Sequence, residues 1–378
     1  MNATPARFSA LFLLPLALAG CRRHDFPQYQ ANDREYAYVT NGASNTVTVL
    51  DVVNVSLDRE VPVGQNPVAV MASPTRNEVY VVNQGAPGGQ GSVSVMNAER
   101  NAVTATIPVH RQPVSIDLVG DLAYVANSGS NTVSVLDMKA RREIAVIGTG
   151  EQPSAALASP DGRALVVANR QGNSVTVIDP ATRQVRAVFE GCPGAADVAI
   201  LPDSSKAFAA CSGGHQIMSI ALARAGQPDR LEALLDVGRG PLHLALKPDG
   251  GELFVSNSRS GSISEVYSNV DDVAGAYMMG DEPVRGLVSA DNSLLYVANF
   301  KSQDVIVYAI DDGKRAGSIH VGDGPSAMAL SSAGHLLFVV DSGSSDVAVV
   351  RTAARSLFTL LPTGRGPNAI AIKAFKVQ

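Results

Sequence analysis

A four-residue phrase repeated at near-constant spacing constrains this chain more than any other feature. Tyr38-Val39-Thr40-Asn41 recurs in variant form, ending at Asn41, Asn83, Asn127, Asn169, Cys211, Asn257, Asn299 and Asp341. Successive spacings are 42, 44, 42, 42, 46, 42 and 42 residues. A Gly-x-x-Pro turn precedes most copies, at residues 64–67, 238–241, 280–283, 322–325 and 364–367. Sixteen residues separate Pro from Asn in the pairs Pro67/Asn83, Pro153/Asn169, Pro241/Asn257 and Pro283/Asn299. A repeat of this length is one supersecondary unit that buries its apolar faces only by stacking on its neighbours.

Each copy reads as four short strands. Strand A follows the Pro, as in Ala69-Val70-Met71-Ala72. A turn of the Ser-Pro-Asp-Gly type follows (residues 159–162, with Lys in place of Ser at 247–250), where Pro presets φ and Gly accepts positive φ. Strand B is the repeated phrase. Strand C alternates with period two, as in Thr132-Val133-Ser134-Val135-Leu136-Asp137. Strand D runs to the next Gly-x-x-Pro. A four-stranded antiparallel unit without helical segments is a propeller blade. The expected fold is all-β, a single propeller over residues 36–378 with eight four-stranded blades; seven, with one irregular copy displaced, is the alternative. The first copy lacks its own strand A, and the last strand A, at residues 368–372, has no strand B after it. The C-terminal strand is therefore expected to complete the first blade beside residues 37–40, removing exposed edges.

These phrases resemble the YVTN-family propellers, named for the motif present verbatim at residues 38–41. The resemblance covers residues 36–376 and implies the fold. It implies little about function: the family includes exported and cell-surface proteins, and is akin to the haem d1 domain of cytochrome cd1 nitrite reductases and to propeller lactonases. No catalytic motif of those relatives can be carried over to this chain.

The N-terminus carries an address. Arg7 precedes the apolar run Leu11-Phe12-Leu13-Leu14-Pro15-Leu16-Ala17-Leu18, which is too short and Pro-broken to span a bilayer. Leu18-Ala19-Gly20-Cys21 resembles a bacterial lipobox, implying a signal peptide at 1–20, lipidation at Cys21 and a polar tether through residue 35. A multiply acylated Cys is a stable anchor, since each buried CH₂ contributes about 0.8 kcal/mol. By the same resemblance, Arg22 in place of Asp favours the periplasmic face of the outer membrane over the inner one. Net charge is −5, which leaves no basic footprint for nucleic acid.

Most other motifs have structural readings. The repeated rim Asn is expected to cap loop backbone. Residues 85–91 and 223–230 read as loop insertions, and Asp311-Asp312-Gly313 as a hairpin turn. No zinc, calcium or nucleophile-elbow pattern occurs, so no metal, cofactor or catalytic residue is predicted. Cys192 stands in the Gly place of its turn and Cys211 in the Asn place of its strand B. Antiparallel pairing brings these to one rim, and a disulfide is expected in an exported protein; two buried free thiols are the alternative.

One constellation stands apart. Two residues after the Pro position, strand A reads Ala69, Ser115, Ala155, Asp197, His243, Arg285, Ala327 and Ala369. Strand A lines a propeller's channel, and alternation is expected to aim this slot inward and its apolar neighbours between blades. Asp197, His243 and Arg285 then come from consecutive blades at one height, with Asp117 as a possible fourth member. The alternative is a solvated lining with a structural ion pair. The expected function is a monomeric binding or scaffolding module of the cell envelope, taking an envelope protein or a small anionic ligand. The alternative is an enzyme or cofactor carrier that uses the channel, acting on a lactone-like ligand or binding haem through His243.

Overall fold

The computed structural model describes residues 29–224 and 226–377. The signal, Cys21 and most of the tether lie outside the described residues. Among these residues, 32 strands and no helix form eight four-stranded antiparallel sheets. Seven sheets are contiguous in sequence and are numbered here as blades 2 to 8: residues 67–111, 113–148, 153–190, 195–236, 241–278, 283–320 and 325–362. Blade 1 takes its three outer strands from residues 33–62 and its inner strand from the C-terminus. Pro367–Lys376 pairs with Asp33–Asn41, from Asp33↔Lys376 to Asn41↔Pro367. The eight-bladed count holds, and the seven-bladed alternative does not.

The core is a series of layers between blades. Middle strands are buried on both faces, which is why Val79, Tyr80, Val81 and Val82 are all apolar and at most 1% exposed. Val166 and Val175 of blade 4 pack on Ala209 and Met218 of blade 5. Phe338 and Val349 of blade 8 pack on Val39 and Leu50 of blade 1, so the last layer closes the ring.

The rim Asn does more than cap loop backbone, as Asn299 Nδ2 does at Met279 O (3.2 Å). Its side chain is fully buried, and Nδ2 donates mainly to hydroxyls of strand C. Asn41 donates to Thr46 and Thr48 Oγ1 (3.0 and 2.9 Å), and Asn169 to Ser174 Oγ and Thr176 Oγ1 (3.2 and 2.9 Å). The Gly of Gly-x-x-Pro packs on the same carboxamide. A Cβ on Gly64 would lie 2.6 Å from Asn83 Cγ, and one on Gly150 2.7 Å from Asn169 Cγ. In blades 1, 2, 4 and 6, Gly, Asn and a pair of Ser or Thr residues thus form one lock, fastening the turn to strands B and C.

Four blades vary this lock. Blade 3 has His110 in the Gly place, and blade 7 has Asp304 and Ile306 in place of the two hydroxyl residues. In blade 5, Cys192 and Cys211 are joined (S–S 2.11 Å, Cα–Cα 4.8 Å). In blade 8, Asp341 takes the Asn place. Its Oδ2 accepts the Gly322 amide at 2.9 Å. Burial, reinforced by the charge of neighbouring Asp346, pushes the Asp341 carboxyl up to about 8 despite that amide. A folded pKa raised above the usual 3.8 means that stability is fully present below about pH 4 and is lost as pH rises towards 8. The slope is at most about 1.4 kcal/mol per pH unit. Asp341→Asn would recreate the arrangement of blade 7, where Asn299 Nδ2 donates to Asp304 Oδ1 at 2.9 Å. Thermal unfolding of D341N is expected to show stabilisation at pH 8.5 and little change at pH 4.5. Equal shifts at both pH values would overturn this account.

Candidate functional site in the central channel

All eight inner strands carry the same irregularity just after the Pro position. Pro153 faces Asn169, yet Ala155 faces Ala168, so Ser154 is an unpaired extra residue. The same slip recurs around the ring. A bulge breaks period-two alternation. Both the mixed slot and the slot before it therefore line the channel, which corrects the expectation that only the mixed slot would. The cavity has a volume of about 390 Å³. It lies at the end of the inner strands nearest the Gly-x-x-Pro turns.

The inner strands have no sheet neighbour towards the axis, so their inward backbone groups need other partners. Side chains of the mixed slot supply some of them. Ser115 Oγ accepts the Ala156 amide (3.2 Å), Asp197 Oδ2 the Leu244 amide (3.0 Å), and His243 Nδ1 the Gly286 amide (3.2 Å). Each bond runs from one blade to the next. Other lining groups are also engaged. Ser154 Oγ donates to Ala195 O at 2.7 Å, and Asn368 Nδ2 to Pro67 O at 2.9 Å.

The predicted residues fall into three cases. Asp197 and His243 are adjacent, with Nε2 3.7 Å from Oδ2. Asp117 does not join them. It sits two residues lower on its strand, is 8% exposed, and accepts the Ala158 amide at 2.7 Å. Arg285 lines the same cavity as Asp197 and His243, yet has no hydrogen-bond or ion-pair partner among the described residues. A guanidinium has no acceptor, so it cannot cap the next blade as Ser, Asp and His do. The ring surrounds Arg285, but its side chain is exposed to the channel itself.

The electrostatics follow from this enclosure. Burial holds His243 well below the ordinary imidazole value, and the Arg285 charge adds to the effect. A neutral ring that accepts an amide at Nδ1 carries its proton on Nε2. Burial raises the Asp197 carboxyl, with Arg285 and the Leu244 and Val198 amides pulling the other way. Burial lowers Arg285, with Asp197 opposing. Among the described residues, no group of three or more His, Cys, Asp or Glu is placed to hold a metal ion.

Sequence reasoning found the charged trio from slot position. It did not find the amide caps, because the bulge and the blade-to-blade register are not local properties.

The chain is similar in fold to several solved propellers. The dihydro-haem d1 dehydrogenase NirN, in complex with DHE, aligns at 16% identity over 89% of this chain and 74% of its own, with a TM-score of 0.70. AztD from Citrobacter koseri aligns at 13% identity over 92% and 100%, with a TM-score of 0.69. A putative 6-phosphogluconolactonase from Bacteroides fragilis aligns at 13% identity over 92% and 100%, with a TM-score of 0.60. At these identities the likeness is one of fold. No curated protein matches the chain in sequence. A family model, described as YNCE-like beta-propeller, matches residues 101–375. With most of its length matched by that model, and a ring of eight blades built on its repeat, the chain belongs to the YNCE-like beta-propeller family.

Proposed function

We propose that this propeller is a membrane-anchored binding module of the cell envelope that takes a small anionic ligand in its central channel. Arg285 carries the reading: it is a guanidinium exposed to a polar channel cavity, with no anion of the protein within ion-pairing distance. A cation that faces the channel with no counter-charge of the protein beside it favours a bound carboxylate or phosphate, which it can grip bidentately. The cavity volume lies within the range of small-molecule sites.

Binding suits the site better than catalysis. His243 offers the cavity no free lone pair, since Nδ1 is engaged by the Gly286 amide and Nε2 carries the proton. That leaves it without the acceptor a general base needs. Haem held through His243 does not fit either. A ligating imidazole donates its second N–H to an acceptor, whereas here the second nitrogen faces an amide donor.

The envelope address rests on Leu18-Ala19-Gly20-Cys21. Tyr29, the first described residue, precedes strand Asp33–Asn41, which starts at the face opposite the Gly-x-x-Pro turns. Eight residues from Cys21 to Tyr29 reach at most about 28 Å when extended. An anchor at Cys21 would hold that opposite face towards the lipid and leave the cavity end pointing away. Cys21→Ser is expected to abolish fatty-acid labelling and release the protein from membranes; a labelled, membrane-bound variant would overturn the anchor.

Arg285→Ala tests the channel reading. It removes no bond that holds the fold, so Tm is expected to stay within about 2 °C. Binding of small carboxylates or phosphate, followed by calorimetry, is expected to fall by at least about tenfold. A variant that binds them as the parent does would sink the proposal.

A further inference from the structure

We infer that the channel ligand is a short zwitterion, with its carboxylate on Arg285 and its amine on Asp197; this rests on the reading of the channel as a binding site. Arg285 is not the only charge in the cavity. Asp197 lies two blades away, its side chain 26% exposed, with neutral His243 between them. Asp197 and Arg285 feel each other's field without forming an ion pair. The rest of the lining is uncharged, so the cavity presents one positive and one negative group, separated and both accessible.

That pairing discriminates among ligand classes. A simple anion drawn to Arg285 carries its charge into the field of Asp197, and a simple cation at Asp197 meets Arg285. Like charge brought into an enclosed site is a repulsive element that sets specificity. A molecule bearing both charges answers both groups. The Nε2–H of His243 is a further donor in reach of the same carboxylate. On the arc facing blades 5 to 7, blades 1 to 3 contribute Ala369, Ala69 and Ser115, which leave room for a few carbon atoms but bring no third charge. Short amino acids, from α to γ, fit this pattern of charge and size. A hydroxy acid meets only half of it, through a hydroxyl donated to Asp197.

The test is calorimetry of the intact protein against a panel: acetate and succinate as anions, butylamine as a cation, lactate as a hydroxy acid, and glycine, β-alanine and γ-aminobutyrate as zwitterions. At least one zwitterion is expected to bind about tenfold or more tighter than acetate, succinate, lactate and butylamine. Asp197→Asn keeps an acceptor for the Leu244 amide, so the fold is retained. It is expected to weaken that zwitterion by about tenfold and to leave acetate unchanged or tighter. If acetate or succinate binds as tightly as every zwitterion, and Asp197→Asn changes neither, the zwitterion assignment falls while the anion site stands. Lactate binding as the tightest ligand would also overturn it, in favour of a hydroxy acid. If no member of the panel binds, and phosphate is equally indifferent to Arg285→Ala, the channel reading falls with it.

Discussion

Removal of residues 367–378 is expected to abolish cooperative unfolding or to lower Tm by more than about 10 °C. The inner strand of blade 1 joins the two ends of the described chain by backbone pairing. Its register with Asp33–Asn41 supplies a full ladder of backbone bonds. Ile370 and Ile372 pack against the layer of Ala37, Val39 and Phe338 that unites blades 8 and 1. Burying such a side chain contributes about 1.5–3 kcal/mol when complete. Asn368 binds both ways, accepting from Thr40 Oγ1 at 2.6 Å and donating to Pro67 O at 2.9 Å. Lys373, only 8% exposed, donates to Ser73 O at 2.7 Å. Without the strand, blade 1 loses its inner edge and blade 2 its neighbour, and the backbone left bare is a template for association. A truncated protein with an unchanged melting curve, monitored by circular dichroism, would show that the ring does not depend on this closure.

How much of this was legible beforehand depended on whether the information was periodic. The blade count and the C-terminal closure follow from landmarks repeated along the chain, because each copy repeats the same turn chemistry at Gly, Pro and Asn. The inward slot was legible for the same reason. The role of the rim Asn was read only in part, since a residue at a strand end ordinarily serves the adjacent loop. Its partners, such as Thr46 and Thr48 for Asn41, are fixed by the cross-strand register rather than by the turn. Asp117 was grouped with the channel trio on sequence offset. Asp117 keeps the alternation of that slot, but two residues further along the strand it lies beyond the cavity lining and is taken up by the Ala158 amide. That Arg285 lacks an acceptor partner, while Asp197 and His243 serve as caps, is a property of three neighbouring blades and has no sequence signature.

Breaking the Cys192–Cys211 bond is expected to cost about 3 kcal/mol, from the chain-entropy model for a loop of 19 residues' separation. Both cysteines are fully buried, so the loss of packing on substitution adds to that figure. The more informative experiment replaces the bond by the lock used elsewhere. In blade 3, Asn127 Nδ2 donates to Thr132 Oγ1 and Ser134 Oγ at 3.3 and 2.8 Å. The equivalent places in blade 5 hold Gln216 and Met218, neither of which has a hydroxyl. Blade 5 has therefore exchanged Gly, Asn and both hydroxyls together, and the disulfide stands in for all four. Cys192→Gly with Cys211→Asn should consequently fail to restore stability, because the new carboxamide would be buried with its Nδ2 unpartnered, at a cost of about 1–3 kcal/mol. Adding Gln216→Thr and Met218→Ser supplies the two acceptors, and the fourfold variant is expected to be more stable than the double variant by the hydrogen bonds regained, less the packing that buried Met218 gives the layer between blades 4 and 5, and to become insensitive to reductant. Chemical denaturation of the parent, the double and the fourfold variants, each with and without reductant, measures both steps. If the double variant alone matches the oxidised parent, the hydroxyls contribute nothing, and the rim Asn of the other blades owes its place to packing against Gly rather than to hydrogen bonding.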